Sequence, residues 1–147
     1  MTYASVEDLR QRLGEPLFAR LTDRSDGTTA DPQQAEALLG QAEAIMNTFL
    51  GRRYQLPLDP TRDVLLADML RTRTLDLAEH LAWRQSPFIS DMPVRVAQLH
   101  GDAMRWLTEV SSGDCELPAA RPRALGLNGL RVHATPRRLT HEELDQI

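Results

Sequence analysis

Apolar residues recur at steps of three and four along most of this chain, and this spacing constrains its fold more than any other feature of the sequence. The clearest example follows Asp31 and Pro32, since an aspartate caps a helix and a proline fits its first turn. A stripe with this spacing lies on one face of an α-helix. The predicted helix runs to about Gly51, and its stripe consists of Ala35, Leu38, Leu39, Ala42, Ile45, Met46 and Phe49.

The same spacing predicts three more principal helices. Residues 5–14 begin with Ser5, which can cap a helix, and a short helical turn follows Pro16. A helix that starts at Asp59 and ends near residue 85 is apolar nearly all round, which is typical of a central helix that touches several neighbours. The last of the four occupies residues 91–113.

Residues 116–147 differ from the rest of the chain, and we expect them to form an extended C-terminal arm. Prolines and glycines interrupt this stretch, and only a few residues near position 140 suit a short terminal helix. Its apolar residues are too dispersed to bury themselves, so we expect the arm to be mobile in an isolated subunit. Aromatic residues make up only 5% of the chain, and the enrichment typical of sheets is missing. The sequence therefore predicts an all-α fold, with a small bundle of about four helices over residues 1–115 and the arm beyond it.

Charge is distributed unevenly between these two parts. All 17 basic residues are arginines. Residues 1–117 contain 12 arginines and 18 acidic residues, a net charge of −6, whereas residues 118–138 carry five arginines and no acid. The last nine residues carry three acids and no arginine. An acidic body with a basic arm is an unusual pairing, and the arm is the feature that most needs a partner.

Three uses of the arm remain open from the residues alone: docking on an acidic protein surface, binding nucleic acid, or serving as a spacer. The spaced leucines and the acidic end favour a protein groove, because nucleic-acid tails are usually richer in lysine, glycine and aromatics. Arg52 and Arg53 either stabilise the carboxyl end of their own helix or contact another subunit, while Arg62, Arg71 and Arg73 are expected on a solvated face. The candidate interface residues are Arg52, Arg53, Tyr54, Arg121, Arg123, Leu125, Leu127, Leu130, Arg131, Arg137, Arg138 and Leu144.

No group of residues indicates catalysis, a cofactor or a metal. Cys115 is the single cysteine, which excludes an intrachain disulfide and fits a reducing cytoplasm. His80 and His100 are expected to be packing or interface residues, since the histidines form no ligand pair. The turn-rich loop after residue 22 fails as a calcium loop, because Arg24 falls on a ligand position when Gly27 is set at the sixth. The first eight residues have no basic start and no apolar run, so we expect no signal peptide, and no stretch is apolar for long enough to predict a membrane span. We therefore expect a non-enzymatic protein without cofactor, metal or membrane.

Several strings, in order along about residues 2–115, resemble one protein family. The most specific is Gly-Arg-Arg-Tyr-Gln-Leu-Pro at residues 51–57, and Asp-Ala-Met-Arg-Trp-Leu at residues 102–107 supports it. Residues 2–9 and 21–24 add Thr-Tyr-Ala-Ser-Val-Glu-Asp-Leu and Leu-Thr-Asp-Arg. Together they resemble the head–tail connector (adaptor, or neck) proteins of Mu-like phages and prophages.

The resemblance implies a small helical bundle with a long arm, whose copies form a ring, expected to be twelvefold, beneath the portal protein. The ring would extend the channel for the genomic DNA, without binding it specifically, and carry a neck stopper or tail-terminator protein. It implies that the C-terminal segment, residues 118–147 here, docks on the portal. The protein would be assembled in the host cytoplasm and reside at the head–tail junction of the virion.

Two rivals stay open. A small helical DNA-binding or regulatory module would use the Arg-rich arm together with a basic recognition helix, yet the last predicted helix offers only Arg95 and Arg105. An accessory subunit of an enzyme would co-purify with a catalytic partner rather than with capsid proteins.

Overall fold

The computed structural model describes residues 2–123, and every regular element within that range is a helix. This confirms the all-α prediction. Five α-helices form rather than about four, because the residues after Gly14, expected to make only a short turn, form a helix of 8 residues. The elements are α1 (Val6–Leu13), α2 (Glu15–Thr22), α3 (Pro32–Leu50), one 3-10 turn (Pro60–Arg62), α4 (Val64–Gln85) and α5 (Val94–Ser112).

The starts of α1 and α3 follow the predicted capping chemistry. The Ser5 hydroxyl accepts a hydrogen bond from the Asp8 backbone N–H at 3.1 Å, and the Asp8 carboxylate accepts one from the Ser5 N–H at 2.8 Å. The Asp31 carboxylate accepts the N–H groups of Gln33 and Gln34, at 3.0 and 3.2 Å. Both caps satisfy donors that a helix leaves unpaired at its first turn.

The predicted start of the long helix at Asp59 is wrong by four residues. Asp59 caps only the 3-10 turn, through the N–H of Thr61 at 2.9 Å. The chain is then extended at Asp63, which has φ −153° and ψ 130°. The Asp63 carboxylate accepts the N–H groups of Leu65 and Leu66 and so caps the start of α4. Two successive aspartate caps made the first look like the helix start.

The three long helices, α3, α4 and α5, pack against one another, and α1 and α2 lie across α3 and α4. As its nearly all-round apolar pattern predicted, α4 is central and contacts every other helix. Within residues 2–123, no helix has both the length and the apolar character to cross a bilayer. The largest fully buried apolar side chains belong to Leu9, Phe18, Leu38, Met46, Leu50, Leu66, Leu70, Leu77, Val96, Leu107 and Val110.

Leu117 corrects the expectation that the arm cannot bury itself, although residues 121–123 are exposed. Leu117 is only 6% exposed and belongs to the main apolar core. Its backbone N–H donates to the Tyr54 hydroxyl at 3.0 Å. One well-placed leucine and a backbone pairing are enough to fasten this stretch, and the sequence offered no period that would reveal them. The remaining residues of the predicted arm lie outside the described range.

Candidate functional site

The root of the C-terminal arm is built on the loop that follows α3. Tyr54 lies opposite Pro122 in a single antiparallel bridge. Two backbone hydrogen bonds flank it, one from the Gln55 N–H to the Arg121 carbonyl and one from the Arg123 N–H to the Arg53 carbonyl, both at 2.8 Å. Proline has no N–H to donate, so it fits a paired position at which the bridge requires no donor. We call this unit, residues 53–55 and 121–123, the arm junction.

Arg53 connects the arm junction to α5. Its Nη1 lies 3.5 Å from the Val110 carbonyl oxygen, and its guanidinium packs against Gly113 at the carboxyl end of α5. The same group lies 5.8 Å from the centre of the Tyr54 ring. The guanidinium therefore serves the carboxyl end of α5, and the prediction that it stabilises the end of its own helix is wrong for Arg53.

Arg52 and Arg123 present their charges at the surface beside the arm junction. The Arg52 guanidinium lies over the Phe49 ring at 5.2 Å, and the Arg123 Nη1 donates to the Gly51 carbonyl at 3.2 Å. Arg121 is also exposed. Five of the predicted interface residues, Arg52, Arg53, Tyr54, Arg121 and Arg123, are thus brought together, although no single motif joins them in sequence. The other seven, Leu125, Leu127, Leu130, Arg131, Arg137, Arg138 and Leu144, lie outside the described residues.

A buried cluster of charges between α1, α4 and α5 was missed by the sequence reasoning. Arg12 donates to Asp76 at 2.6 Å and to Glu79 at 2.7 Å, and both carboxylate side chains are only 2% exposed. Arg95 approaches Glu79 at 3.3 Å, and Arg73 approaches Asp76 at 3.5 Å. The available signal was two acids three residues apart within a helix that is otherwise apolar on that side, since buried acids need partners.

Arg73 does not occupy the solvated face expected of it. Besides approaching Asp76, its guanidinium lies 5.7 Å from the centre of the Trp106 ring on α5. Arg71 does lie on the surface, where it pairs with the exposed Asp68. The helix thus uses neighbouring arginines for different purposes, which their sequence spacing alone does not distinguish.

His80 and His100 pack α4 against α5, which is one of the two roles that the sequence predicted for them. Their ring centres are 3.7 Å apart and the planes are inclined by 14°. Burial lowers the pKa of both imidazoles, and for His80 the neighbouring His100 and Arg84 lower the pKa further. Neutral rings can stack closely, whereas two imidazolium ions would repel each other.

The loop after α2 uses its acids to hold its own backbone. The Asp23 carboxylate accepts the N–H groups of Ser25, Thr28 and Thr29 at 2.9 to 3.1 Å. The bonds from the N–H groups of Ser25 and Thr29 are the main reason that its pKa lies far below the usual range. A carboxylate so occupied is a turn-former. Among residues 2–123, no three histidine, cysteine or acidic side chains are grouped so that they could hold a metal ion.

The described part of the chain is therefore a small all-α bundle in which residues 121–123 are fastened to the loop that follows α3. A family model described as Bacteriophage Mu, Gp36 matches residues 3–128, which is most of the chain and includes the arm junction. The chain belongs to this bacteriophage Mu family, as the resemblance indicated. No curated protein gives a significant match.

Proposed function

We propose that this protein is a head–tail connector of a Mu-like phage or prophage, a structural virion component without enzymatic activity. Membership of the bacteriophage Mu family over residues 3–128 carries the proposal. In this role, copies of the protein would form a ring beneath the portal protein, and we expect the ring to be twelvefold. The ring continues the DNA channel and carries a neck stopper or tail-terminator protein on its other side.

The arm junction supports a connector role. A subunit that joins two rings needs a rigid body and a reaching segment, and the junction fixes where that segment starts. The 24 residues beyond Arg123 would span roughly 80 Å if extended. This length would reach an adjacent ring, and weak contacts repeated around a ring add up to strong attachment.

The charge of the body supports a conduit rather than a DNA reader. Residues 1–117 carry a net charge of −6, which would repel the phosphate backbone and let DNA pass. The two arginines of α5 are also paired with acids, Arg95 with Glu79 at 3.3 Å and Arg105 with Asp102 at 3.6 Å. A recognition helix needs free cationic groups, so these pairs count against the DNA-binding alternative.

Imaging of virions that carry a tagged copy would test the proposal. The gene would be disrupted in the phage and the tagged protein supplied in its place, with a tagged major capsid protein as the control for label position. We expect a ring of label at the head–tail junction, and untailed heads when no copy is supplied. Label on the capsid faces or the tail tip, or normal tailed virions without the protein, would refute the connector role.

The DNA-binding alternative makes a separate prediction. A regulatory module would retard short duplex DNA in a gel, and the retardation would weaken steeply with salt because bound counterions are released. We expect no retardation by the full-length protein at physiological salt. Salt-sensitive binding together with absence from virions would favour the alternative instead.

A further inference from the structure

A groove of about 470 Å³ lies between residues 2–7 and the amino-terminal half of α3. Gly40 of α3 lines the groove and is exposed, and a Cβ atom there would meet no other heavy atom within 4 Å. The surface at Gly40 is therefore open to an incoming side chain. Its lining includes the buried residues Ala4 and Leu39, the exposed Gly40, and three acids that are exposed or half-buried, Glu7, Glu36 and Glu43, which we call the rim.

Two of the three carboxylates around this groove, Glu36 and Glu43, have no arginine partner among the described residues. Glu7 shares Arg10 at 3.7 Å, but within residues 2–123 neither Glu36 nor Glu43 has an arginine within 4.0 Å. Burial raises the pKa of the Glu43 carboxyl more than the Tyr3 backbone N–H and the terminal amino group lower it, so its charge still carries a desolvation cost that an arriving cation would offset. A ligand that fits should bring both positive charge and apolar side chains.

Residues 124–138 of this chain have that chemistry. They contain three arginines, four large aliphatic residues and no acid. The last nine residues are instead acidic and would be repelled by the same rim. The arginines of the segment are Arg131, Arg137 and Arg138, and its aliphatic residues are Leu125, Leu127, Leu130 and Val132.

The arm leaves the described structure at the end of the groove's own helix face. Positions 36, 40, 43, 47 and 51 follow one another at steps of three and four and so share a face of α3. Arg123 binds the carbonyl of Gly51, the last of them, at 3.2 Å. Gly40 lies about 16 Å further back along the helix, a distance that about five extended residues would cover.

We propose that residues 124–138 dock in this groove on their own subunit, with arginines at Glu36 and Glu43 and leucines over Leu39 and Gly40. The same chain is the occupant rather than a second copy, because a short tether gives an effective concentration in the millimolar range. The docking rests on the geometry of this chain. Its consequence rests on the proposed function: a subunit not yet on the portal holds its arm on its own body, and the portal displaces it.

Crosslinking of the full-length chain tests the docking. Cys115→Ser removes the native thiol, and Gly40→Cys with Leu130→Cys places one thiol in the groove and one in the arm. Gly101→Cys with Leu130→Cys is the matched control, since Gly101 is also an exposed helical glycine with open space around it. A short bis-maleimide should join positions 40 and 130 within one chain, at a rate that does not change on dilution and exceeds the control about tenfold.

Charge variants test the contacts assigned to the rim. Glu36→Gln with Glu43→Gln should slow the crosslink about fivefold, as expected for losing two partly exposed ion pairs, whereas Glu109→Gln on the surface of α5 should leave it unchanged. Equal rates at positions 40 and 101 would overturn the docking. Products that join two chains only would overturn the choice of the same chain, and an unchanged rate in the glutamine variant would overturn the ion pairs.

The outcome is separable from that of the connector proposal. The crosslink is formed in the isolated full-length protein, so its failure leaves the position of the protein in the virion untouched. Label away from the head–tail junction, conversely, would refute the connector role while an intrachain crosslink still stood.

Discussion

Replacing Arg12 by methionine should destabilise the protein more than any other single change of a half-buried charge. Arg12 is the shared partner of two carboxylates that are 2% exposed, Asp76 at 2.6 Å and Glu79 at 2.7 Å. Methionine keeps much of the stem that packs between the helices but removes the guanidinium. The two acids would then stay buried with weaker compensation, which is costly in a medium of low polarity.

The size of the effect follows from the partners that remain. Removing one member of a buried pair usually costs about 3–5 kcal/mol. Arg73 and Arg95 still approach the two acids, at 3.5 and 3.3 Å, so the lower end of that range applies. We expect the free energy of unfolding to fall by about 3 kcal/mol, which corresponds to a decrease in Tm on the order of 10 °C for a domain of this size.

Urea denaturation followed by circular dichroism would measure the change. Arg71→Met is the matched control, because Arg71 pairs with the exposed Asp68 and should cost no more than about 0.5 kcal/mol. A variant that combines Arg12→Met with Asp76→Leu and Glu79→Met should recover most of the loss, since no buried acid is left unpaired. If Arg12→Met costs no more than Arg71→Met, the buried acids do not depend on Arg12 and the reasoning is wrong.

Three further predictions concern the arm junction, the glycines within and just after α3, and the stacked histidines. Tyr54→Phe removes the acceptor of a buried N–H and should speed hydrogen exchange over residues 117–123 about tenfold; unchanged exchange would count against the junction. Gly40→Ala should raise the free energy of unfolding by about 0.5–1 kcal/mol, measured by thermal unfolding. Gly51→Ala should lower the free energy of unfolding, because the new Cβ would lie 2.9 Å from the Asn47 carbonyl oxygen. A Gly51→Ala variant more stable than Gly40→Ala would contradict this. Since both imidazole pKa values are lowered from 6.5 on folding, the unfolded chain binds more protons, and stability should fall as pH drops below about 6.5. His80→Gln with His100→Gln should flatten that dependence, and an equally steep profile would refute it.

The sequence predicted those parts of the fold that depend on neighbours along the chain. Ser5 and Asp31 were identified as helix starts because a cap and its partners lie within three residues of each other. The error at Asp59 has the same origin, since a local cap does not reveal how far a helix continues. The central position of α4 was also predictable, because its apolar residues leave little polar face.

The parts that were missed depend on residues far apart in sequence. Arg12 meets Asp76 and Glu79 across 64 and 67 positions, and nothing near any of the three marks the others as partners. Leu117 likewise has a distant partner, since its backbone N–H donates to the Tyr54 hydroxyl 63 positions earlier. In the candidate site, the residue types were predicted and their assembly into a junction was not, since a single bridge has no periodic signature.

The arm junction also decides how a pull on the arm would be felt by the body. The chain runs from residue 121 to 123 antiparallel to residues 53–55, held by two backbone hydrogen bonds. Tension that continues in this direction stretches both bonds together, whereas tension directed backwards breaks them one at a time. Arg53 contacts the carboxyl end of α5, so the force would also act on that helix. The arm junction therefore resists a pull in one direction and opens bond by bond under a pull in the opposite direction. The direction of the pull determines whether the bundle is strained or the arm is released.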